Sequence, residues 1–324
     1  MASNNIPTLV LGSSAGERAI PVIGFGTASN DSDPAPMKRA VLEAIKLGFR
    51  HFDTASVYGS EQGLGEAIAE ALKLGLVASR NELFITTKLW CNDSHSHLVV
   101  SALKTSLEKL QLEYLDLYLV HWPISSTPGN TVYPIDEKDL MPMDFKSVWE
   151  TMEECQKLGL TKSIGVSNFS CKKLESILSF ATIPPSVNQV EMNPTWQQKK
   201  LRKFCGEKNI IVTAFSPLGA IATSWGNNLV MDNEILADIA KARGKSVAQV
   251  CLRWVYEQGA SVVCKSYNKE RLKQNLQIFD WSLTEDDLHR IESIPQNKVN
   301  VSPASVSPDQ TSCEALKELW DGEI

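Results

Sequence analysis

Four side chains in the first half of the chain have the types and spacing for proton chemistry on a polar double bond: Asp53, Tyr58, Lys88 and His121. Asp53 and Lys88 are 35 residues apart and Lys88 and His121 are 33 apart, each about one strand-plus-helix unit. Taken singly, an acid at a strand end is usually a turn former or helix cap, and a tyrosine a packing residue. Three ionisable groups ending three consecutive strands, with a tyrosine on the loop after the first of them, are better explained as a site.

The charges say what such a site would do. A free tyrosine has a pKa of about 10 and is a weak acid at neutral pH. Bringing it near 7 takes about 3 units, or about 4 kcal/mol in favour of the phenolate. One lysine ammonium at ~4 Å supplies on the order of 4 kcal/mol at an effective dielectric of about 20. Lys88 is placed for that role, and Asp53 is the counter-charge that keeps it protonated in a partly dry site. His121 would orient an incoming carbonyl and donate or share a hydrogen bond. The expectation is a lowered phenol beside a polarised C=O, suited to carbonyl reduction once a hydride donor is present.

The elements that must hold these residues alternate regularly. Short apolar, β-branched runs at 23–27, 49–53, 83–88, 115–121, 163–167, 187–191, 211–215 and 262–265 read as strands, several of them too continuously apolar for a sheet with one wet face. Amphipathic segments at 37–47, 66–74, 98–110, 145–158, 172–180, 197–207, 236–243 and 269–277 read as helices. Gly48, Gly75 and Gly159 mark helix ends. Eight of each predict a closed (β/α)8 TIM barrel, one domain over residues 1–324, with an N-terminal β-hairpin at 7–23. A doubly wound sheet binding a dinucleotide would usually carry a G-x-G-x-x-G loop after its first strand, and none is present. The Tyr-x-x-x-Lys pair of the short-chain dehydrogenases is missing too. Long segments at 122–144, 216–235 and 295–324 break the rhythm. The first two follow strands, so they fall on the C-terminal face where barrel active sites lie.

Composition excludes other classes. The 324 residues are 43% hydrophobic and carry a net charge of −6, with no basic stretch to track nucleic acid beyond a short solvated helix face at 198–203. Seven cysteines without C-x-x-C spacing predict neither a metal site nor a disulfide framework. The first residues lack the pattern of a signal peptide, and no apolar run approaches the ~18 residues of a membrane span. The expected setting is cytoplasmic, with reduced thiols and a small-molecule substrate.

A donor site is also legible. Ser167, Asn168 and Gln189 end later strands and could hold a carboxamide, while Phe215 could stack on a flat ring. Lys265, Ser266 and Arg271 place two cations and a hydroxyl where the last strand meets a helix, a good place for phosphate.

With these residues in view the sequence resembles the aldo-keto reductases. The likeness rests on Gly48-Phe-Arg-His-Phe-Asp-Thr-Ala-Ser-Val-Tyr-Gly-Ser-Glu61, Lys88-Leu-Trp-Cys91, His121-Trp-Pro123, Ile164-Gly-Val-Ser-Asn-Phe169, Ser216-Pro-Leu-Gly219 and Lys265-Ser-Tyr-Asn-Lys-Glu-Arg271. The resemblance implies a tetrad of Asp53, Tyr58, Lys88 and His121, with Tyr58 as general acid and NADPH as hydride donor. It implies cofactor contacts from Gly26, Thr27, Asp53, Ser167, Asn168, Gln189, Phe215, Ser216, Leu218, Lys265, Ser266, Arg271 and Asn275. Lys265 and Arg271 match the positions that grip a 2′-phosphate, which favours NADPH over NADH.

The stretches 110–118, 152–156, 183–192 and 320–323 are similar to a plant branch of the family that holds chalcone (polyketide) reductase, codeinone reductase, methylecgonone reductase and galacturonate reductase. That implies a ketone of specialised metabolism, polyketide, phenolic or alkaloid, and a monomer. The alternative it carries is an NADPH-binding interaction subunit, or a reductase that works beside a polyketide synthase with little activity of its own. Substrate contacts are expected from Ala28, Tyr58, Trp90, His121 and Trp122. Ala28 stands where the aldose-reductase type has a tryptophan, which implies a wider pocket and a bulkier ketone. Phe215 replaces a frequent tyrosine, and Gln274 a common glutamate.

Overall fold

The computed structural model describes residues 6–12, 18–28, 34–131, 133–220, 226–303 and 313–323. The turn of the expected hairpin, residues 221–225 of the second long segment and residues 304–312 of the tail lie outside this set. The hairpin itself forms, with β1 (Thr8–Val10) antiparallel to β2 (Ala19–Pro21). Next come β3 (Ile23–Gly26), β4 (His51–Asp53), β5 (Phe84–Leu89) and β6 (Leu117–Val120). The segment after β6 contributes a two-stranded ribbon of β7 (Ser125–Ser126) and β8 (Leu140–Met141). The series ends with β9 (Ile164–Ser167), β10 (Val187–Glu191), β11 (Ile211–Phe215) and β12 (Ser261–Cys264).

Eight of these strands close into a parallel barrel in the order β10-β11-β12-β3-β4-β5-β6-β9. Gly26 pairs with Asp53 and Asp53 with Thr86, while Lys88 pairs with Leu119. The register therefore brings the polar strand ends to one rim.

The helices are α1 (Pro34–Leu47), α2 (Glu61–Lys73), α3 (Ser96–Leu110), α4 (Phe145–Lys157), α5 (Cys171–Leu178) and α6 (Lys199–Glu207). They continue with α7 (Glu234–Arg243), α8 (Val247–Glu257), α9 (Lys269–Leu276), α10 (Glu285–Glu292) and α11 (Cys313–Trp320). The barrel agrees with the sequence reading, but α8, α10 and α11 go beyond it. The start of α8 is specified by a reciprocal cap: Ser246 Oγ accepts from Gln249 N at 3.2 Å, and Gln249 Oε1 accepts from Ser246 N at 3.0 Å. Its apolar face, Val250, Cys251, Trp254 and Val255, is buried at helical spacing.

The strand expected at 49–53 is shorter, because Phe49 N–H turns back to Ala44 O (2.9 Å) at the end of α1. That donor is lost to the ladder.

Each end of the barrel has its own chemistry. The end away from the polar rim is filled by Leu11, Ile20, Phe84, Leu117, Leu119 and Val187, with the hairpin packed across it as a plug. A titratable group is also sealed within the wall. His51 is wholly buried, its Nε2 3.2 Å from Thr86 Oγ1. Gly24 makes room for the ring, since a Cβ there would lie 2.5 Å from His51 Nδ1. Burial pulls the imidazole pKa down to about 4, against the attraction of Asp53.

The sign of the resulting pH dependence follows. Between pH 6.5 and about 4 the unfolded histidine takes a proton that the folded one refuses. Its contribution is fully present above 6.5 and is lost as the pH falls, by about 3 kcal/mol at the lower limit. Urea unfolding at a series of pH values should show midpoints falling through this window; a flat profile from pH 6.5 to 5 would contradict the assignment.

Candidate active site

Asp53 ends β4, Lys88 lies near the end of β5, and His121 follows β6. Tyr58 closes a single 3-10 turn at Ser56–Tyr58, which Gly59 terminates at φ 67°. This short turn, with no room for a longer excursion, brings the phenol back over the rim.

The four meet as expected. Lys88 Nζ donates to Asp53 Oδ1 at 2.6 Å and to Thr54 O at 2.8 Å. Gln189 Nε2 donates to Asp53 Oδ2 at 2.8 Å. Asp53 and Lys88 are only 3% and 1% exposed, so this ion pair is shielded from solvent. Lys88 Nζ lies 5.1 Å from the centre of the Tyr58 ring, and the Tyr58 hydroxyl is 3.4 Å from His121 Nε2. Thr27 supports the assembly from below. Its N–H and its hydroxyl both donate to Asp53 O, at 2.9 and 3.1 Å, and the hydroxyl also contacts Ser60 Oγ.

The phenol does not behave as the sequence reading expected. Burial, then the Asp53 charge, then Tyr133 push its pKa well above 10 rather than down towards 7. Burial is the main cause, and Lys88 does not offset it because it is not a free cation. Its charge is matched by Asp53 at hydrogen-bond distance, and the pair as a whole offers a phenolate little net attraction. Burial also lowers the Lys88 pKa, against the pull of Asp53.

His121 is held neutral: burial first, and then the Lys88 charge, set its pKa well below 6.5. Its Nδ1 is buried without a hydrogen-bond partner among the described residues. Buried donors are left unpaired less readily than acceptors. We therefore assign the proton to Nε2, which then donates to the Tyr58 oxygen and leaves the phenolic hydrogen free.

Aromatic rings wall this point. Trp90 is 5.0 Å from the His121 ring and 5.8 Å from Tyr133, both edge-on, and Trp122 meets Trp320 at 6.0 Å. Trp90 and Trp122 were legible in the sequence; Tyr133 and Trp320 were not singled out as site residues, although Tyr133 lies in a segment expected on the C-terminal face. Ala28 is half-buried two residues past β3.

A family model described as the aldo/keto reductase family matches residues 22–296. The chain belongs to the aldo/keto reductase family. It is 59% identical over 319 residues to a Citrus sinensis (1S)-1,7-diacetoxy-luvungin A aldo-keto reductase, covering 98% of this chain and 99% of the relative. It is 57% identical over 323 residues to the NAD(P)H-dependent 6'-deoxychalcone synthase of Glycine max, covering 100% and 99%. It is 56% identical over 313 residues to deoxymugineic acid synthase 1 of Hordeum vulgare, covering 96% and 99%. Among solved structures it is similar to a Bombyx mori aldo-keto reductase in complex with NADP. That match has a TM-score of 0.81 and 36% identity, covering 90% of this chain and 94% of the other.

The positions that this aldo/keto reductase was expected to use for a cofactor fall along the same rim. Asn168 adopts the left-handed conformation (φ 64°) just past β9. Its Nδ2 donates to His121 O at 3.0 Å and to Ser167 Oγ at 3.2 Å. Asn168 Oδ1 is buried and has no hydrogen-bond partner among the described residues. Gln189 is different: its amide N–H is committed to Asp53, so it supports the tetrad directly. Phe215, the last residue of β11, and Leu218 just beyond it are half-buried, and between them Ser216, at φ 48°, accepts through its carbonyl from Asn193 Nδ2 at 3.2 Å.

After β12, Lys265 and Arg271 are exposed and Ser266 is buried. Asn268 caps α9 by accepting from Arg271 N at 3.0 Å. Asn275 turns inward, its amide 3.4 Å from Cys264 Sγ. Gly26 lies beside Asp53 in register. No cluster of three potential metal ligands occurs among the described residues.

The geometry makes a stability prediction. Lys88→Met leaves Asp53 buried with Gln189 as its remaining side-chain donor, and removing one partner of a buried pair costs about 3–5 kcal/mol. Denaturant unfolding should show that loss, well beyond what the loss of a surface ion pair produces.

Proposed function

We propose that this chain is an NADPH-dependent reductase that converts a bulky ketone or aldehyde of plant specialised metabolism to its alcohol. The observation that carries the reading is the meeting of the Tyr58 hydroxyl and His121 Nε2 at 3.4 Å, beside the buried Asp53–Lys88 pair. Two donors thereby converge where a carbonyl oxygen would sit.

The residues fit the cofactor. The unpartnered Asn168 Oδ1 is an acceptor for a carboxamide N–H, and the half-buried Phe215 offers a ring face to a flat heterocycle. Exposed Lys265 and Arg271, beside the Ser266 hydroxyl, suit a phosphate. When bound, NADPH supplies the hydride that adds to the carbonyl carbon.

The protein's own part is positioning and proton supply. His121, neutral and carrying its proton on Nε2, donates to the substrate oxygen and fixes the carbonyl's orientation. Tyr58 donates its phenolic proton to that oxygen as it gains charge. A phenol held well above 10 can still do this, because a forming alkoxide is comparable in basicity to hydroxide and far more basic than a phenolate. The Asp53–Lys88 pair lies against the phenol ring, with Lys88 Nζ 5.1 Å from its centre, and has little net pull on the phenolate left once the proton has gone. Trp90, Trp122 and Tyr133 hold the body of the substrate, and the small Ala28 leaves width for a cyclic or phenolic ketone.

The second reading is a reductase that depends on a polyketide synthase partner. It is supported by the likeness to a 6'-deoxychalcone synthase.

NADPH oxidation with a panel of polyketide, phenolic and alkaloid ketones tests the proposal. Tyr58→Phe should lower kcat by about 10²–10⁴-fold, the usual worth of a general acid. Asp53→Asn should do less damage, since it acts through Lys88. Equal rates for wild type and Tyr58→Phe would sink the assignment of the acid. Tight NADPH binding with no turnover until a synthase is added would favour the second reading.

A further inference from the structure

The tail makes a set of contacts that the reaction itself does not require. The helix α11 ends at Trp320, and Asp321 (φ 54°) and Gly322 (φ 75°) turn the chain back sharply, with Gly322 N donating to Lys317 O and Glu323 N to Trp320 O. That turn aims two carboxylates at the start of α5. Asp321 Oδ2 accepts from Ser170 Oγ at 2.5 Å and from Lys173 Nζ at 2.7 Å, and Lys172 lies 3.5 Å from its other oxygen. Glu323 Oε2 accepts from Cys171 N at 2.9 Å, while its Oε1 pairs with Lys200 at 2.9 Å. The two carboxylates are 12% and 14% exposed, so solvent and salt screen them only in part. The start of α5 favours negative charge on its own account, and here it receives charge from a segment 151 residues away.

Trp320 sits one residue before this grip and is itself held on three sides. Its indole N–H donates to Val301 O at 2.7 Å, and Lys298 Nζ lies 3.4 Å from its ring centre. The third side meets Trp122, and both belong to one buried cluster with Trp90, Cys91 and Ile135. Trp90 in turn touches the His121 ring. One buried cluster thus runs from the residue next to the tail's carboxylates to the ring beside His121.

We infer that the tail is an ion-paired latch: Asp321 and Glu323, seated on the start of α5, hold Trp320 against Trp122 and so set the width of the substrate pocket. Asp321 is a positioning residue, acting through Trp320 on Trp122. The inference rests on the reading of Trp122 as a substrate wall. Released, Trp320 no longer supports that wall, and a bulky ketone loses its fitted surface while a small aldehyde loses nothing.

The test uses the full chain labelled with 19F-tryptophan. Trp320→Phe assigns the Trp320 resonance among eight tryptophans. Asp321→Asn and Glu323→Gln, singly and together, are compared with a charge exchange, Asp321→Lys with Lys173→Asp. The latch predicts that the neutralised variants shift the Trp320 resonance and raise KM for the bulky ketone about tenfold, the effect of losing one charge-assisted contact. It also predicts kcat within about twofold and an unchanged KM for a small aldehyde, with the exchanged pair recovering the wild-type values at least in part. An unmoved resonance, or a moved resonance with both KM values unchanged, overturns the latch. Equal losses on both substrates overturn it too, since they indicate general damage. No turnover by wild type on any carbonyl sinks the reductase reading instead. The Trp320 resonance then decides the latch: an unmoved signal overturns it, and a moved one supports it.

Discussion

The buried ion pair between Asp53 and Lys88 is the constraint around which the site is built. Moving two charges out of water costs several kcal/mol each, and attraction offsets that only when geometry is good and the remaining polar atoms are also paired. Both conditions are met. Lys88 divides its donors between Asp53 and Thr54 O, and the second Asp53 oxygen is taken by Gln189. Counting round the closed barrel, β10, which carries Gln189, is four positions from β4, which carries Asp53. The hydrogen bond between them therefore spans the mouth and ties its opposite sides. The need to satisfy one carboxylate fixes the spacing of three strands.

This pairing also decides the acid–base character. A lysine already matched by an aspartate is a weak attractor of a third charge. Tyr58 therefore remains a protonated phenol held by sterics and by His121, rather than an acid tuned to neutrality. His121 is neutral for the related reason that burial and Lys88 both disfavour a second cation. Such a site stores little charge before reaction and is arranged for charge that appears during it. The apolar rings of Trp90, Trp122 and Tyr133 keep the dielectric around it low.

Much of this was legible in the chain. Asp53, Lys88 and His121 each end an apolar run one unit apart, and that period puts all three at the same end of a parallel sheet, which the eight repeats close into a barrel. Short-range signals were legible as well, such as the Gly48 that closes α1 and the Ser246 and Gln249 cap that opens α8, although the second was passed over in reading the pattern. What could not be read were contacts between distant segments. Nothing in the spacing ties Gln189 to Asp53 or Asp321 to Ser170, because neither pair follows a helical or strand period. The phenol was misjudged for a similar reason: one neighbour, Lys88, was counted without the burial and the aspartate that offset it. Tyr133 lay in a segment whose location was clear but whose path was not.

The central claim is that burial, with the Asp53 charge pairing off Lys88, keeps Tyr58 protonated across the physiological range. The most direct measurement is a pH titration by NMR of protein labelled with 13C at the tyrosine Cζ, with Tyr58→Phe identifying the signal among six tyrosines. The account predicts that the Tyr58 resonance keeps the neutral-phenol shift up to at least pH 10. A titration midpoint near pH 7 would contradict it and return Lys88 to the role of an unpaired activating charge.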